Sequence, residues 1–249
     1  MICRTDLSLC GVITNIKRCV VSGWHIIPLH VELDTVLVMI ELLHCDCMEY
    51  MATVPDKYFD LACVDPPYGI GAHKEIGLGN SRNGNRKASK WMGGDWDNEK
   101  PSDEYFNELF RISKNQIIWG GNYFDLPPTR CFLIWDKVQR IDMADCELAW
   151  TSFKTSARIY EFSCSNLQGF RNPDRFHPCE KPVKLYQWLL TNYAKKGQRV
   201  FDSHLGSASS AIAAHYFGVD FVGCELDKYY FEAAKARFDM ATKQLAMSI

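Results

Sequence analysis

The sequence lacks any long apolar run and any marked excess of charge of one sign. No uninterrupted apolar stretch approaches the roughly 20 residues that a membrane span needs. The longest uncharged run near the start, residues 19–31, contains Gly, Pro and two His and lacks the layout of a signal peptide. Lys and Arg number 28 against 30 Asp and Glu, so the overall charge does not point to nucleic acid, although a neutral protein can carry a locally basic face. We expect a cytoplasmic protein without a membrane span.

Closely spaced cysteine pairs are also missing. The chain has 11 Cys but no C-x-x-C pair, and Cys45 and Cys47 would point to opposite sides of an extended chain. Three others, Cys63, Cys131 and Cys224, lie inside apolar strand-like runs, where Cys behaves as a small hydrophobe. These spacings argue against a disulfide framework and against a metal site. We expect mostly free thiols in a reducing compartment.

Strand-like and helix-like patterns alternate from Met39 onward, after a first segment with little sustained periodicity. We therefore divide the chain into an N-terminal extension, residues 1–38, and one domain, residues 39–249. Strands that alternate with helices favour an α/β fold with a mostly parallel sheet covered on both faces. Strands are predicted at 38–43, 61–64, 116–121, 131–136, 147–153, 199–202 and 220–225, and helices at 46–52, 102–113, 181–194, 207–217 and from 227.

Acidic residues follow several of the predicted strands. Ligands of open α/β sheets bind outside the carboxyl ends of the strands, where this chain places Asp46, Asp65, Asp202 and Glu225. A single acid after a strand is usually a turn or a helix cap, but four in one domain favour a binding site. The small residues after Asp202 would let a ligand approach the backbone at a helix start. Taken alone, this loop predicts a cofactor site and a tight strand-to-helix connection equally well.

The predicted strand at 61–64 ends abruptly on Asp65, Pro66, Pro67 and Tyr68. Neither proline can donate to a strand ladder, so the strand cannot continue. The sequence therefore leaves a carboxylate, a carbonyl and an aromatic ring together at the carboxyl end of a buried strand.

Three motifs, in this order, resemble the β class of amino-methylating DNA methyltransferases: "DPPY" at 65–68, "HPCEKP" at 177–182 and "DSHLGS" at 202–207. The segments "IIWGGNYF" at 117–124 and "WDK" at 135–137 add a similarity to small adenine methyltransferases of phages and prophages. The resemblance covers about residue 39 to the end. It implies the Rossmann-like fold of S-adenosylmethionine-dependent methyltransferases, with a mostly parallel, seven-stranded sheet. The motif order is circularly permuted, so that the strand at 199 is the usual first strand and the one at 220 the second.

The resemblance also implies roles for individual residues. The catalytic set is Asp65, Pro66, Pro67 and Tyr68. The Asp65 carboxylate and the Pro66 carbonyl accept the two N–H groups of a target amine, and Tyr68 stacks on the extruded base. Asp46 would lie near the adenine ring of S-adenosylmethionine, and Glu225 would bind its ribose hydroxyls. The remaining cofactor contacts are expected from Asp65, His177, Lys181, Pro182, Asp202, His204, Gly206 and Ser207.

The cofactor loop departs from the pattern of the family. Its members often have "DPFxGSGT" where this chain has "DSHLGSAS", so Ser203, His204 and Ala208 replace a proline, a phenylalanine and a glycine. The methyl group of Ala208 adds bulk where the backbone approaches the ligand, and His204 either stacks as the phenylalanine would or weakens binding. A catalytically weakened fold-mate that only binds DNA or a partner is therefore an alternative.

The leading prediction is transfer of a methyl group from S-adenosylmethionine to the N6 amine of adenine in double-stranded DNA. Asp65 favours adenine, because cytosine-N4 enzymes of this resemblance more often carry Ser at that position and protein-glutamine methyltransferases carry Asn. Cytosine-N4 methylation is the nearest alternative, and methylation of RNA or of a protein amide is a further one. The sequence leaves open the recognition site, a companion restriction enzyme for restriction–modification, and a homodimer, which is frequent in the β class.

A basic segment after the "DPPY" motif is the predicted DNA contact. Residues 73–101 form an insertion rich in Gly, Asn, Lys and Arg, in which Glu75 is the only acid before Asp95. Basic side chains on such a segment can hold phosphates, and a solvated surface loop is the alternative. The predicted contacts are Lys74, Arg82, Arg86, Lys87 and Lys90.

Overall fold

The computed structural model describes residues 38–71, 97–138, 144–163 and 180–243. The predicted N-terminal extension lies outside these ranges apart from Val38, and the predicted insertion at 73–101 is described only from Asp97 onward. No helix within the described ranges is long and apolar enough to cross a membrane. The described cysteines are free thiols, and Cys63, Cys131 and Cys224 are buried.

The described residues form eight strands and five helices, which alternate except for the four consecutive strands between residues 113 and 161. The strands are β1 (Ile40–His44), β2 (Phe59–Val64), β3 (Ser113–Trp119), β4 (Leu133–Asp136), β5 (Cys146–Thr151), β6 (Arg158–Glu161), β7 (Arg199–Asp202) and β8 (Asp220–Glu225). The helices are α1 (Cys47–Thr53), α2 (Asp103–Ile112), α3 (Val183–Tyr193), α4 (Ser209–Phe217) and α5 (Lys228–Lys243). The predicted elements are confirmed to within a few residues, and β7 and β8 have their predicted bounds.

All eight strands belong to one sheet, in the order β1-β8-β7-β2-β3-β5-β4-β6. The first five strands of this order run parallel, whereas β5 is antiparallel to both of its neighbours. The late strand β7 lies between the early strand β2 and the late strand β8. The permuted order implied by the motifs is therefore confirmed, because the strands from 199 and 220 complete the half of the sheet that β1 begins.

The predicted number of seven strands is wrong, because a short eighth strand, β6, lies at the sheet edge beside β4. Three of its four residues are exposed, and only Tyr160 is partly buried. Such a strand carries no apolar alternation that a sequence pattern could reveal. It is formed by main-chain pairing, with Leu133 opposite Arg158 and Asp136 opposite Glu161.

The parallel strands bury side chains on both faces of the sheet. In β2, Leu61 and Cys63 contribute to the core under α3, α4 and α5. The intervening residues Ala62 and Val64 contribute to the second core, under α1 and α2. Successive strand residues point to opposite faces, so a strand that is covered on both sides needs a continuous apolar run. This requirement explains why the sequence pattern predicted β2, β7 and β8.

The connections that leave β2 and β7 run to opposite sides of the sheet. From β2 the chain continues through α2 to β3 on one side, and from β7 it continues through α4 to β8 on the other. Parallel pairing of Leu61 with Val200 and of Ala62 with Phe201 brings the carboxyl ends of both strands to the same edge. In open α/β sheets this switch point is where ligands bind.

We expect Leu109→Ala to lower the free energy of unfolding by about 2–5 kcal/mol, because Leu109 is fully buried between α2 and the sheet and its truncation leaves a cavity. Asn107→Ala, on the exposed side of the same helix, is the matched control and should change stability by less than about 0.5 kcal/mol. Urea unfolding followed by circular dichroism measures both values. Equal effects would contradict the buried face assigned to α2.

Candidate active site

The turn after β2 is fixed by an aspartate from a distant part of the chain. The N–H groups of Tyr68 and Gly69 both donate to Oδ1 of Asp97, at 2.7 and 2.9 Å. Asp97 is only 1% exposed, and Gly69 takes a left-handed conformation with φ +71°. The prolines stop the strand, and Asp97 then holds the chain as it turns away.

Both oxygens of the Asp65 carboxylate are engaged. Oδ1 accepts a hydrogen bond from the Tyr68 hydroxyl at 2.7 Å, and Oδ2 accepts one from the Lys181 ammonium. The same ammonium lies 3.0 Å from Oε2 of Glu147 in β5. Burial raises the pKa of Asp65 above its usual value, while Lys181 and Tyr68 oppose this rise by stabilising the carboxylate. Lys181, predicted above as a cofactor contact, thus touches the predicted catalytic acid.

The Tyr68 ring lies against the segment that follows β3. A Cβ atom at Gly120 would lie 2.2 Å from the Tyr68 ring, and Gly120 has φ +69°, so the position suits glycine on both counts. The ring stacks on Tyr123 with the centroids 5.0 Å apart and meets Phe124 edge-on at 6.2 Å. Tyr123 is 41% exposed, so this aromatic surface reaches solvent.

Asp202 ends β7 as a buried, hydrogen-bonded acid. Its carboxylate accepts from the His204 N–H at 3.1 Å and from the Ser210 hydroxyl at 2.6 Å. Burial raises the pKa of Asp202 to about 7, and the negative charges of Asp65 and Glu225 add to the rise. The acids at the ends of β2, β7 and β8 therefore interact electrostatically, as expected for neighbours at one edge of a sheet.

Glu225 orients the loop between β7 and α4 from the end of β8. Its Oε2 accepts from the Gly206 N–H at 2.9 Å, and its Oε1 accepts from the Asp227 N–H at 3.1 Å. The Leu205 N–H donates to the carbonyl of Cys224 at 2.8 Å, which fixes the same loop a second time. Two backbone donors hold the carboxylate in place, and its remaining lone pairs can still accept hydroxyl groups.

Two of the loop residues that depart from the family pattern are joined by hydrogen bonds. The Ser203 hydroxyl lies 2.8 Å from Nδ1 of His204 and 2.6 Å from the hydroxyl of Tyr105 in α2. Burial lowers the pKa of His204 to about 4, although Asp46 acts in the opposite direction. The imidazole is therefore neutral near pH 7, and its orientation is fixed by Ser203.

The start of α4 is strained and is braced from α5. Ala208, the third departure, has φ +60° and is fully buried, a conformation that costs a non-glycine residue about 1–2 kcal/mol. The Arg237 guanidinium donates to the carbonyl of Ser207 at 2.6 Å and to the Ser209 hydroxyl at 2.9 Å. It also pairs with Glu180 of the "HPCEKP" motif at 2.8 Å. Arg237 thus ties the predicted cofactor loop to the motif that contains the predicted cofactor contacts His177, Lys181 and Pro182.

Of the remaining predicted site residues, some lie within the ranges that the structure describes and others lie outside them. Asp46 is the N-cap of α1, where its carboxylate accepts from the Met48 N–H at 2.7 Å. Its negative charge acts to raise the pKa of His204 in the loop after β7. Pro182 is the buried N-cap of α3. The other predicted residues lie outside the described ranges: His177, Lys74, Arg82, Arg86, Lys87 and Lys90.

Four residues that the sequence patterns did not single out contact the predicted set. Tyr105, Glu147 and Arg237 come from three different elements, and Asp97 precedes α2. Of these four, only Glu147 had a sequence signal that could have identified it: it is a charged residue at the start of the otherwise apolar run at 147–153. The others depend on contacts between segments that are far apart in the chain.

Comparison with known proteins agrees with this arrangement. A family model of N6/N4-type DNA methylases matches residues 118–236. A candidate methylase of Escherichia coli strain K12, YubD, is 26% identical over 231 residues, which cover 84% of this chain and 93% of that protein. The type II methyltransferase M2.DpnII of Streptococcus pneumoniae is 20% identical over 244 residues, which cover 80% of this chain and 89% of that protein.

A solved structure shares the fold. The PvuII DNA methyltransferase, which is cytosine-N4-specific, has a TM-score of 0.54 at 12% identity and covers 83% of this chain and 92% of its own. Sheet order, strand-end acids and sequence similarity agree with one another. The chain is similar to the N6/N4-type DNA methylases, whose family model matches residues 118–236.

Proposed function

We propose that this protein is a DNA methylase, which transfers a methyl group from S-adenosylmethionine to the N6 amine of adenine in double-stranded DNA. The observation that carries the proposal is the position of Asp65. Its carboxylate and the adjacent Pro66 carbonyl end β2 at the switch point of the sheet, beside the loop that Asp202 and Glu225 hold. Two acceptors for an amine and a small-residue loop for a cofactor thus share one edge.

The loop after β7 fits S-adenosylmethionine. Gly206 has φ +52° and no Cβ, so a ligand can approach the backbone there. Glu225 is held by backbone donors and keeps lone pairs for two ribose hydroxyls. Asp65 and Glu225 supply negative charge that favours a cationic ligand. When bound, S-adenosylmethionine supplies a methyl group whose bonding electron pair stays on sulfur as the new N–C bond forms.

The chain's own residues prepare the amine. The nitrogen lone pair of adenine N6 is delocalised into the ring, which makes the amine a poor nucleophile. Asp65 and the Pro66 carbonyl accept its two N–H groups, which favours a pyramidal nitrogen and frees the lone pair. Holding the amine in line with the methyl group contributes further acceleration. The proton that the nitrogen loses passes to Asp65 or to water.

Tyr68 supplies the surface on which the extruded base stacks. A base within a duplex is out of reach, so it must be flipped out at the cost of its stacking. A base–aromatic stack is worth about 1–3 kcal/mol, which offsets much of that cost. The exposed ring of Tyr123 extends the Tyr68 surface toward solvent. The predicted contacts of DNA with the basic segment at 73–96 belong to this proposal, and that segment lies outside the described residues.

Two other functions are supported by specific observations. Cytosine-N4 methylation is supported by the fold shared with a cytosine-N4-specific enzyme. A catalytically weakened protein is supported by the strained Ala208 at the place where the family often has glycine. Asp65 favours the adenine enzyme over the first, since the resemblance associates Ser with cytosine-N4 chemistry. The hydrogen-bonded Ser203 and His204 favour an intact loop over the second.

Asp65→Ala should abolish methyl transfer, by at least about 100-fold, because the amine loses its charged acceptor. Cofactor binding should remain nearly intact, because Glu225 and the loop after β7 are untouched. Transfer of a radiolabelled methyl group to unmethylated DNA measures the first effect, and isothermal titration with S-adenosylmethionine measures the second. The matched control is Asp103→Asn on the exposed start of α2. Full turnover of Asp65→Ala would refute the assignment.

The methylated base can be identified directly. DNA from a host that lacks its own methylases, and that expresses this chain, should contain N6-methyladenine when digested and analysed by mass spectrometry. The Asp65→Ala variant is the negative control in the same host. N4-methylcytosine in place of N6-methyladenine would establish the cytosine alternative, and the absence of both would favour the weakened protein.

Glu225→Gln should weaken S-adenosylmethionine binding by about 10- to 100-fold, because hydrogen bonds to a charged acceptor are worth about 1.5–3 kcal/mol. Glu232→Gln, on the exposed side of α5, is the matched control and should leave the affinity unchanged. Isothermal titration calorimetry gives both dissociation constants. Equal affinities for the two variants would remove Glu225 from the cofactor site.

A further inference from the structure

A row of four charged side chains leads away from the predicted catalytic acid. We call these residues the charge row: Asp65, Lys181, Glu147 and Lys137. Lys181 contacts Oδ2 of Asp65 and lies 3.0 Å from Oε2 of Glu147, while Lys137 lies 2.7 Å from Oε1 of Glu147. The signs alternate, and the four groups come from four different segments of the chain.

The charge row is largely withdrawn from solvent. Lys181 is 4% exposed, and the side chains of Lys137, Asp65 and Glu147 are 16%, 18% and 24% exposed. The Lys181 ammonium also lies 5.3 Å from the centroid of the Trp119 ring. Burial alone would raise the pKa of Glu147, but Lys181 and Lys137 together lower it to about 2. Glu147 is therefore charged near pH 7 because of its two lysine neighbours.

Folding stability does not account for such a row. Buried ion pairs repay their desolvation poorly, and apolar residues of similar volume often stabilise a protein as well or better. The row instead ends on one oxygen of the residue that must accept the target amine. An arrangement that costs stability and converges on a reacting group points to a role in the reaction.

We propose that Lys181 and Glu147 are positioning residues for the target amine. Lys181 occupies Oδ2 of Asp65 and thereby presents Oδ1 as the acceptor, and Glu147 holds the Lys181 ammonium in the place where it can do so. In the structure Oδ1 accepts the Tyr68 hydroxyl, and the amine N–H of the target takes over that oxygen when the base enters. The inference rests on the proposed function, since it specifies how Asp65 is prepared for that reaction.

The two positioning residues act on Asp65 with opposite sign. The Lys181 charge stabilises the Asp65 carboxylate, whereas the Glu147 charge disfavours it. Other groups that interact with Asp65 lie on several neighbouring elements. They are Cys63 in β2, Tyr68 in the turn, Tyr105 in α2, Tyr186 in α3 and Asp202 at the end of β7.

The test is whether substitutions of Lys181 and Glu147 shift the pKa of Asp65 in opposite directions. Lys181→Met should raise the pKa of Asp65 by about 1–3 units, the usual effect of an opposite charge within hydrogen-bonding range. Glu147→Gln should lower it, because the amide oxygen still accepts from the Lys181 ammonium while the negative charge that disfavours the Asp65 carboxylate is lost. The pKa is measured by 13C nuclear magnetic resonance on protein labelled at the aspartate carboxyl carbons, with the Asp65 signal identified by its loss in Asp65→Asn. This measurement requires neither cofactor nor DNA.

Activity supplies the second measurement. In a plot of kcat against pH, the fall in kcat on the acidic side should move to higher pH for Lys181→Met and to lower pH for Glu147→Gln. Lys181→Arg should keep this fall at the wild-type pH. Lys184→Met and Glu161→Gln, both exposed, are the matched controls and should leave both measurements unchanged. Glu147→Gln is nearly isosteric, so it keeps the test valid if Lys181→Met does not fold.

The outcomes separate this inference from the proposed function. Shifts in the same direction, or no shift in either variant, would overturn the inference even if the wild-type protein methylates DNA. A wild-type protein that transfers no methyl group would overturn the proposed function, and opposite shifts would still support the control of Asp65 by Lys181 and Glu147. Opposite shifts together with a moved kcat profile would support both.

Discussion

The parallel pairing of β2 with β7 is the constraint on which the site depends. It joins a strand from the first third of the chain to one from the last quarter and places Asp65 beside Asp202. Without this pairing, the proposed acceptor for the amine and the proposed cofactor loop would lie in separate halves of the molecule. The order of motifs along the chain is therefore of little consequence to the chemistry, provided that the two strands meet in this register.

The charge balance at this edge explains several features together. Asp65, Asp202 and Glu225 crowd negative charge into one region, where burial raises all three pKa values and repulsion from Asp65 and Glu225 adds to the rise at Asp202. Lys181 is the cation that contacts Asp65 among the described residues. A ligand that carries positive charge next to these acids would relieve the repulsion that the protein tolerates in its absence. Electrostatic strain of this kind favours a cationic cofactor over a neutral one of the same shape.

The sequence predicted the features that depend on local patterns of apolar and acidic residues. The runs that became β7 and β8 are continuous, apolar and closed by an acid, so their bounds were predicted as observed. Strand β6 was missed because "RIYE" is an exposed edge that exists through pairing with β4. The contact of Lys181 with Asp65 spans 116 residues, and no spacing rule reports a contact of that range. Asp97, Tyr105 and Arg237 were missed for the same reason, since each acts on a segment remote in the chain.

The position of β1 at the edge of the sheet has a consequence for synthesis on the ribosome. Its sheet neighbour is β8, so β1 and the open side of β2 have no strand to pair with until residues 199–225 have been made. Parallel pairings between such distant segments form slowly, and unpaired strand edges attract other chains. The part of the protein that carries the "DPPY" motif is therefore made early but completed last. A nascent chain that stalls before β7 would expose that part to aggregation and to chaperones.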